Sequence, residues 1–178
     1  MTVYEAPDGD EAVVIAYGSN LPAGAKTASQ AFGHLVKTLA ERGLIITKIS
    51  RLWRSRAWPN PQDPDYVNAV ILAKSSLPPR DLLRLLHDVE RDAGRVRDGQ
   101  KNAPRVLDLD LVAYGGRVVD EDGLVLPHPR AADRGFVMGP LAEVWPGWVH
   151  PVLGRTAEDL YKSITIGVDA YPMQEDRY

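Results

Sequence analysis

Residues 106–114 read VLDLDLVAY, and this stretch indicates which face of the predicted sheet is apolar and which is polar. Because side chains alternate along a strand, its apolar residues are predicted to share one face. These residues are Leu107, Leu109, Leu111 and Ala113. Asp108 and Asp110 then stand side by side on the opposite face. The pattern therefore predicts one face under helices and one face that carries two carboxylates.

Outward from this strand, the apolar pattern predicts alternating strands and helices. Apolar, β-branched runs predict strands at 12–17, 44–53 and 66–74, with 106–114 as the fourth. Apolar residues at helical spacing predict helices over 25–42 and 78–94. The order β-α-β-β-α-β is that of a ferredoxin-like α+β fold, an antiparallel sheet with both helices on one face. The other face is predicted to be free for a ligand.

The remaining segments are predicted to extend this core within one domain. A length of 178 residues fits the usual domain size of ~100–200 residues, so 1–178 is predicted to be a single domain. Residues 1–11 are predicted to be a flexible N-terminal extension. Short helices near 136–145 and 156–162 are C-terminal additions, and 163–178 is predicted to be a tail.

Composition excludes several classes of protein. The chain contains no cysteine, which excludes disulfides, thiolate metal sites and thiol catalysis. With a net charge of −3, the chain lacks the wholly basic surface that would be the simplest indication of nucleic-acid binding. The acidic first residues do not resemble a secretory signal, and no apolar run approaches the ~20 residues that span a bilayer. A cytoplasmic protein with no membrane association is predicted.

The two aspartates are candidate ligands of Mg²⁺. Alternate residues of a strand lie ~6.6–7 Å apart at Cα, so the carboxylates of Asp108 and Asp110 can lean toward a common pair of cations. Two such ions bridged by carboxylates bind a polyphosphate during an in-line displacement. The alternative is an ordinary strand whose acids are solvated.

A basic segment precedes the aspartates. It contains Arg91, Arg95, Arg97, Lys101 and Arg105. Guanidinium groups bind phosphate oxygens in a bidentate manner and stay charged, which suits a polyphosphate transition state. A solvated basic loop is the alternative, but cations directly before a carboxylate pair favour a nucleotide site.

Three further residues are candidates on weaker signals. His128 lies between two prolines and is either a phosphate ligand or a histidine of a surface turn. Tyr66 and Asn68 share a strand face, where a ring and an amide suit the binding of a flat heterocycle. Gly18-Ser19-Asn20 lacks the pattern of a P-loop, and a strand-to-helix turn is the favoured interpretation.

Several motifs in order resemble the 6-hydroxymethyl-7,8-dihydropterin pyrophosphokinase family of folate biosynthesis. They are AYGSNL at 16–21, PDYVNAV at 64–70, GRVR at 94–97, PRVLDLDLV at 104–112, LPHPR at 126–130 and RGFVMGPLAEV at 134–144. The resemblance implies transfer of pyrophosphate from ATP to the hydroxymethyl group of a dihydropterin, with release of AMP. It also implies two Mg²⁺ ions and small-molecule partners only.

The resemblance implies roles for individual residues. The metal ligands would be Asp108 and Asp110, and the arginines acting on the transferred phosphates would be Arg95 and Arg105. The remaining nucleotide-site residues would be His87, Glu90, Arg97, Lys101, His128 and Arg134. The pterin would lie between Tyr66 and Phe136, with Asn68 at its edge and with Ser55 and Trp58 on an adjoining loop.

Two departures from the family pattern concern the loops. Asn102-Ala103 stand where the family often has tryptophan and glycine, and Pro129 stands where it often has an aromatic residue. Neither departure affects the metal ligands. The rival hypothesis is an RNA-binding module of the same element order, although two aspartates on the open face disfavour it. An inactive paralogue is disfavoured by the intact aspartate pair, and a monomer is predicted.

Overall fold

The computed structural model describes residues 12–19, 25–57, 59–93 and 107–174. The strands are β1 (Ala12–Ser19), β2 (Ile45–Ile49), β3 (Trp53–Ser55), β4 (Tyr66–Lys74), β5 (Asp108–Tyr114), β6 (Val119–Glu121), β7 (Leu124–Leu126) and β8 (Tyr171–Pro172). The helices are α1 (Ala25–Glu41), α2 (Pro79–Asp92), α3 (Gly135–Val144) and α4 (Ala157–Tyr161). Predicted and observed helices agree within about two residues at each end.

The main sheet is antiparallel and has the predicted connectivity. Its strand order is β5-β1-β4-β3-β8, and β2 also pairs with β4. With β2 and β3 counted as one interrupted strand, this is the ferredoxin-like order, so the predicted fold class is confirmed. The strands β6 and β7 form a separate hairpin.

The second predicted strand, 44–53, is not continuous. β2 pairs with one half of β4 and β3 with the other, so the single-strand prediction was wrong. Ser50 explains the break, because its hydroxyl oxygen accepts a hydrogen bond from the Val70 amide at 2.9 Å. Its own amide donates to the Val70 carbonyl, also at 2.9 Å. A side chain thus replaces the backbone acceptor, and the chain bends between two short strands.

The helix-covered face holds a continuous apolar core. Side chains of β1, β4 and β5 pack there against α1 and α2. The residues of this core from α1 are Ala28, Phe32, Leu35 and Leu39, and those from α2 are Leu82, Leu86 and Val89. Burial of each such side chain contributes about 1.5–3 kcal/mol, so this layer dominates the stability of the sheet.

The opposite face is only partly open, which corrects the prediction that it is free for ligands. A second apolar cluster covers part of it and includes Val70 and Leu72 of β4 together with Met138 and Leu141 of α3. Because α3 is apolar around most of its circumference, it lies buried on the sheet. The ligand-accessible surface is therefore confined to the remaining part of this face.

A bulge changes the facing of the last residues of β5. Ile15 pairs with Leu111 and Val14 with Ala113, so Val112 is an extra residue in the ladder. Ala113 consequently lies in the second cluster, and its predicted place beside the leucines was wrong. Beyond the bulge, alternation resumes with Tyr114 on the helix-covered side.

The segment predicted as a tail contributes to the sheet. Within 163–178, β8 pairs with β3. The predicted N-terminal extension, 1–11, lies outside the described residues. Within the described ranges, no helix has both the length and the apolar character that a membrane span requires.

Candidate active site

The floor of the candidate site is a row of three residues on adjacent strands. Gly18 of β1 pairs with Asp108 of β5 on one side and with Asn68 of β4 on the other. A Cβ built on Gly18 would lie 3.8 Å from Asn68 Oδ1 and 4.0 Å from Asp108 Cβ. The glycine therefore leaves bare backbone between a carboxylate and an amide.

The carboxylate end of the row follows the predicted alternation. Asp108 and Asp110 are half-buried, whereas Leu109 between them is fully buried. The Leu109 amide donates a hydrogen bond to Glu90 Oε1 at 2.8 Å. Glu90 is 1% exposed, so this buried carboxylate of α2 accepts the hydrogen bond of an edge amide of β5 between the two aspartates. His87, one helical turn before Glu90, is half-buried.

The amide end of the row is held by β3. Asn68 is 4% exposed, and its Nδ2 donates to Ser55 Oγ at 3.0 Å. This bond fixes the orientation of the amide, with Oδ1 toward Gly18. Ser55 pairs in turn with Tyr66, which is half-buried and shares the face of Asn68. Ser55 thus lies beside Tyr66 and Asn68, but it belongs to strand β3, so its predicted place on a loop was wrong.

Helix α3 forms the wall beside the amide end. Trp53, which pairs with Asn68, donates from Nε1 to Glu143 Oε2 at 2.8 Å. A Cβ on Gly139 would lie 2.5 Å from the Trp53 ring, so the helix approaches the strand as closely as a glycine allows. Phe136 is one turn earlier on the same helix and is half-buried.

Arg134 and His128 lie on the loop that leads into α3. The Arg134 guanidinium carbon is 5.7 Å from the centroid of the Phe136 ring, within cation–π range. The His128 amide donates to the carbonyl of the bulge residue Val112 at 2.8 Å, so the bulge anchors this loop.

The pKa of His128 responds to its burial and to charged residues on the loop and on β5. Burial lowers its pKa, Arg134 lowers it further, and Asp108 acts in the opposite direction. His128 Nδ1 accepts from the Arg130 amide at 3.2 Å, which leaves the ring proton on Nε2. At neutral pH the imidazole is therefore a neutral hydrogen-bond donor near an aspartate and an arginine.

Five predicted site residues fall outside the described residues. They are Trp58, Arg95, Arg97, Lys101 and Arg105. In the part of the chain that is described, no group of three or more potential metal-ligating side chains occurs. The aspartate pair could offer a cation one carboxylate each, and such a cation would need further ligands from a bound phosphate or water.

Four residues that shape the site were not predicted from the sequence. They are Gly18, Gly139, Glu143 and Gly167. Gly18 was interpreted only as part of a turn, although a glycine inside a β-branched strand is a known signal of close approach. The other three act through tertiary contacts that leave no local signal in the sequence.

Comparisons with known proteins agree on one family. Residues 14–146 match the family model described as 7,8-dihydro-6-hydroxymethylpterin-pyrophosphokinase (HPPK). A 2-amino-4-hydroxy-6-hydroxymethyldihydropteridine pyrophosphokinase of Synechocystis is 39% identical over 132 residues, which are 74% of this chain and 67% of that protein. The corresponding protein of Aquifex aeolicus is 33% identical over 126 residues, 71% of this chain and 78% of that protein.

Longer relatives and solved structures extend the comparison. The folic acid synthesis protein fol1 of Pneumocystis carinii is 35% identical over 155 residues, but the chain spans only 20% of its length. A crystal structure of HPPK-DHPS in complex with substrates has a TM-score of 0.69 at 10% identity, covering 88% of this chain and 43% of that chain. Plasmodium falciparum HPPK-DHPS with pteroate has a TM-score of 0.66 at 13% identity, covering 89% and 43%. At these identities the solved structures support the fold alone.

Proposed function

The chain belongs to the 7,8-dihydro-6-hydroxymethylpterin-pyrophosphokinase family, and from that premise we propose how its sheet face carries out the transfer of pyrophosphate. The reaction joins the hydroxymethyl oxygen of the dihydropterin to the β-phosphorus of ATP. The hydroxyl proton is lost to solvent, the bond between that phosphorus and the oxygen bridging to the α-phosphate breaks, and AMP leaves with that oxygen. An in-line displacement of this kind needs the two substrates end to end.

The observation that carries the proposal is the row Asp108–Gly18–Asn68. Adjacent strands lie about 4.8 Å apart, so the outer members are separated by roughly 9–10 Å. That distance suits a pterin edge at Asn68 whose hydroxymethyl arm reaches a phosphate chain near Asp108. The bare backbone of Gly18 allows the reacting groups to lie flat on the sheet between them.

The pterin end is assigned to the residues around Asn68. The Asn68 amide is held by Ser55, and its Oδ1 is the acceptor for N–H groups of the heterocycle. Tyr66 and Phe136 would stack on the two faces of the ring, since offset aromatic stacking suits a flat heterocycle. Trp58, outside the described residues, stays assigned to the adjoining loop by the family resemblance.

The phosphate end is assigned to His128, Arg134 and the basic segment. His128 in its neutral form donates from Nε2 to a phosphate oxygen, and Arg134 supplies positive charge. Arg95, Arg97, Lys101 and Arg105 are assigned to the phosphates, and His87 to the adenosine end, on the family resemblance. Glu90 has a further role as the anchor of the Leu109 amide.

The aspartate pair fits Mg²⁺. In phosphate-binding sites this cation takes one or two carboxylates, and the substrate phosphates complete its coordination. Asp108 and Asp110 are such a pair, and the described residues add no third ligand to it. Two Mg²⁺ ions, when bound, would supply charge neutralisation for the triphosphate.

The assignment of partners follows from the same face. We propose small-molecule substrates only, because two carboxylates at the accessible face disfavour a nucleic-acid backbone. A monomer that acts in the cytoplasm completes the proposal. The monomer is supported by the Asp108–Gly18–Asn68 row, which one chain forms by itself.

The test is nucleotide analysis after incubation with ATP, Mg²⁺ and 6-hydroxymethyl-7,8-dihydropterin. AMP and a pterin diphosphate in equal amounts, formed only when all three are present, are expected. Formation of ADP would indicate transfer of a single phosphoryl group and would contradict the proposal. AMP formed equally without the pterin would contradict it as well, because it would indicate hydrolysis.

A further inference from the structure

Residues 164–173, here called the C-terminal strap, lie beyond the match to the family model, which ends at residue 146. The strap nevertheless contacts two parts of the chain that are assigned to the pterin. One contact is with Phe136 and the other is with the backbone next to Ser55. The strap also reaches one residue assigned to the phosphates, because Ile166 pairs with Arg134 in a parallel bridge.

The first anchor of the strap fixes the start of α3. The Gly135 amide donates to the Ile166 carbonyl at 2.7 Å, and the Ile166 amide donates to the Asp133 carbonyl at 3.0 Å. Gly167 follows with φ of 67°, a conformation that favours glycine. A Cβ built there would lie 2.5 Å from Phe136 Cδ1, so the strap backbone lies directly against the ring.

The second anchor fixes the outer edge of the sheet. The Arg56 amide donates to Asp169 Oδ2 at 2.7 Å. Tyr171 and Pro172 pair with Arg54 and Trp53. Ser55 is therefore flanked by strap contacts on both sides, and Ser55 is the residue that accepts the hydrogen bond from Asn68 Nδ2.

We infer that the C-terminal strap positions the pterin-binding residues through its contacts with Phe136 and with the backbone next to Ser55. Gly167 sets the plane of the Phe136 ring, and Asp169 holds the backbone at Arg56 so that Ser55 orients Asn68. Both are positioning residues for the pterin, and Asp169 is expected to leave the nucleotide end unaffected. Gly167 adjoins Ile166, which pairs with the phosphate-side Arg134. The inference rests on the proposed function, because it takes Phe136 and Asn68 as pterin contacts.

Binding measurements on strap variants test the inference. Titration calorimetry gives the dissociation constants of 6-hydroxymethylpterin and of α,β-methylene-ATP for each variant. Asp169→Ala should weaken pterin binding, by up to about tenfold if the free energy of this hydrogen bond to a charged group is coupled to the orientation of Asn68. Binding of the ATP analogue should stay within about twofold of wild type. Asp169→Asn keeps an oxygen acceptor for the Arg56 amide and should restore most of the pterin affinity.

The strap contains its own matched control. Val168 lies between the two positioning residues and is 70% exposed. Val168→Ala should leave both dissociation constants unchanged. Gly167→Ala should weaken pterin binding as well, because its methyl group displaces the Phe136 ring. Gly167→Ala also strains the backbone at a φ of 67°. The comparison of Asp169→Ala with Asp169→Asn therefore decides whether the strap positions the pterin site.

Fluorine NMR reports the ring position without any assay of activity. The chain has two phenylalanines, Phe32 and Phe136, so labelling with 4-fluorophenylalanine gives two signals. Phe32 is buried in the α1 core and serves as the internal control. The Phe136 signal should move in Gly167→Ala while the Phe32 signal stays in place.

The outcomes separate this inference from the proposed function. If wild type binds the pterin and Asp169→Ala leaves both affinities unchanged, the strap inference alone is overturned. Equal losses for pterin and nucleotide would also overturn it, since they would indicate general destabilisation. If wild type binds no pterin at all, the proposed function and the inference both fail.

Discussion

The two faces of the central sheet are built from the same strands, but one is a closed apolar core and the other carries polar and charged side chains. On the helix-covered face Leu109 packs into a closed apolar core. One residue away, Asp108 lies half-buried beside the bare backbone of Gly18, and the buried amide of Asn68 lies on the far side of that glycine. The first face supplies stability, and the second places like charges and polar groups close together at some cost to stability. Substitutions on the two faces should therefore have opposite effects on folding and on function.

The largest effect is expected from Asp108→Asn. Loss of a carboxylate that fixes the charge of the triphosphate should lower turnover by about 10²–10³ or more, the size of effect seen when one transition-state contact is removed. The melting temperature should be unchanged or slightly higher, because repulsion from Asp110 is relieved. AMP release and thermal melts check both parts. An early-melting variant that still turns over would reverse the assignment of the faces.

Leu109→Ala is the matched substitution on the other face. Removing a buried leucine costs about 2–5 kcal/mol of unfolding free energy through lost transfer energy and a residual cavity. Denaturant unfolding measures this loss. The remaining folded protein should keep a pterin dissociation constant close to that of wild type. Unchanged stability would show that this side chain is not part of the core.

Asn68→Ala sharpens the comparison within the site face. The dissociation constant of the pterin should rise about tenfold or more, since a buried polar contact to the ligand is lost. Ser55→Ala removes the group that orients the amide and should produce a smaller loss in the same direction. Binding of an ATP analogue should be nearly unchanged in both variants. Equal losses for the two ligands would contradict the separation of the pterin and phosphate ends.

The smallest effect concerns pH and a histidine far from the row. Burial lowers the pKa of His150, whose Nδ1 accepts from the Val152 and Leu153 amides at 3.2 Å. The unfolded state therefore binds a proton more readily than the folded state. This contribution to stability is complete above the unfolded pKa of about 6.5 and is lost as the pH falls below it. Unfolding free energies at pH 7.5 and 5.5 should differ more in wild type than in His150→Asn.

The features that depend on strand alternation were predictable from the sequence. Leu107, Leu109 and Leu111 lie under the helices, and Asp108 and Asp110 lie on the other face, because the period of two is the same for every strand. The helices α1 and α2 were also predictable, since each buries one stripe at a period of 3.6. These signals are local and need no knowledge of the partner element.

The features that depend on tertiary contacts were not predictable. The bulge at Val112 shifts Ala113 to the second face because β1 and β5 change register, and neither strand alone indicates it. Ser50 interrupts the second strand through a bond to a residue twenty positions away. Asp169 and Arg56 are 113 residues apart and carry no periodic signal. The alternation places the reactive groups, whereas long-range contacts decide which part of the face stays open.

We propose that the row Asp108–Gly18–Asn68, on three adjacent strands, holds the two substrates end to end. The most direct test is a crystal structure of the protein with α,β-methylene-ATP, 6-hydroxymethylpterin and Mn²⁺, which gives an anomalous signal in place of Mg²⁺. We predict that the pterin edge contacts Asn68, the metal lies on Asp108 and Asp110, and the hydroxymethyl oxygen faces the β-phosphorus above Gly18. A pterin bound away from Asn68, or a metal that contacts neither aspartate, would contradict the account.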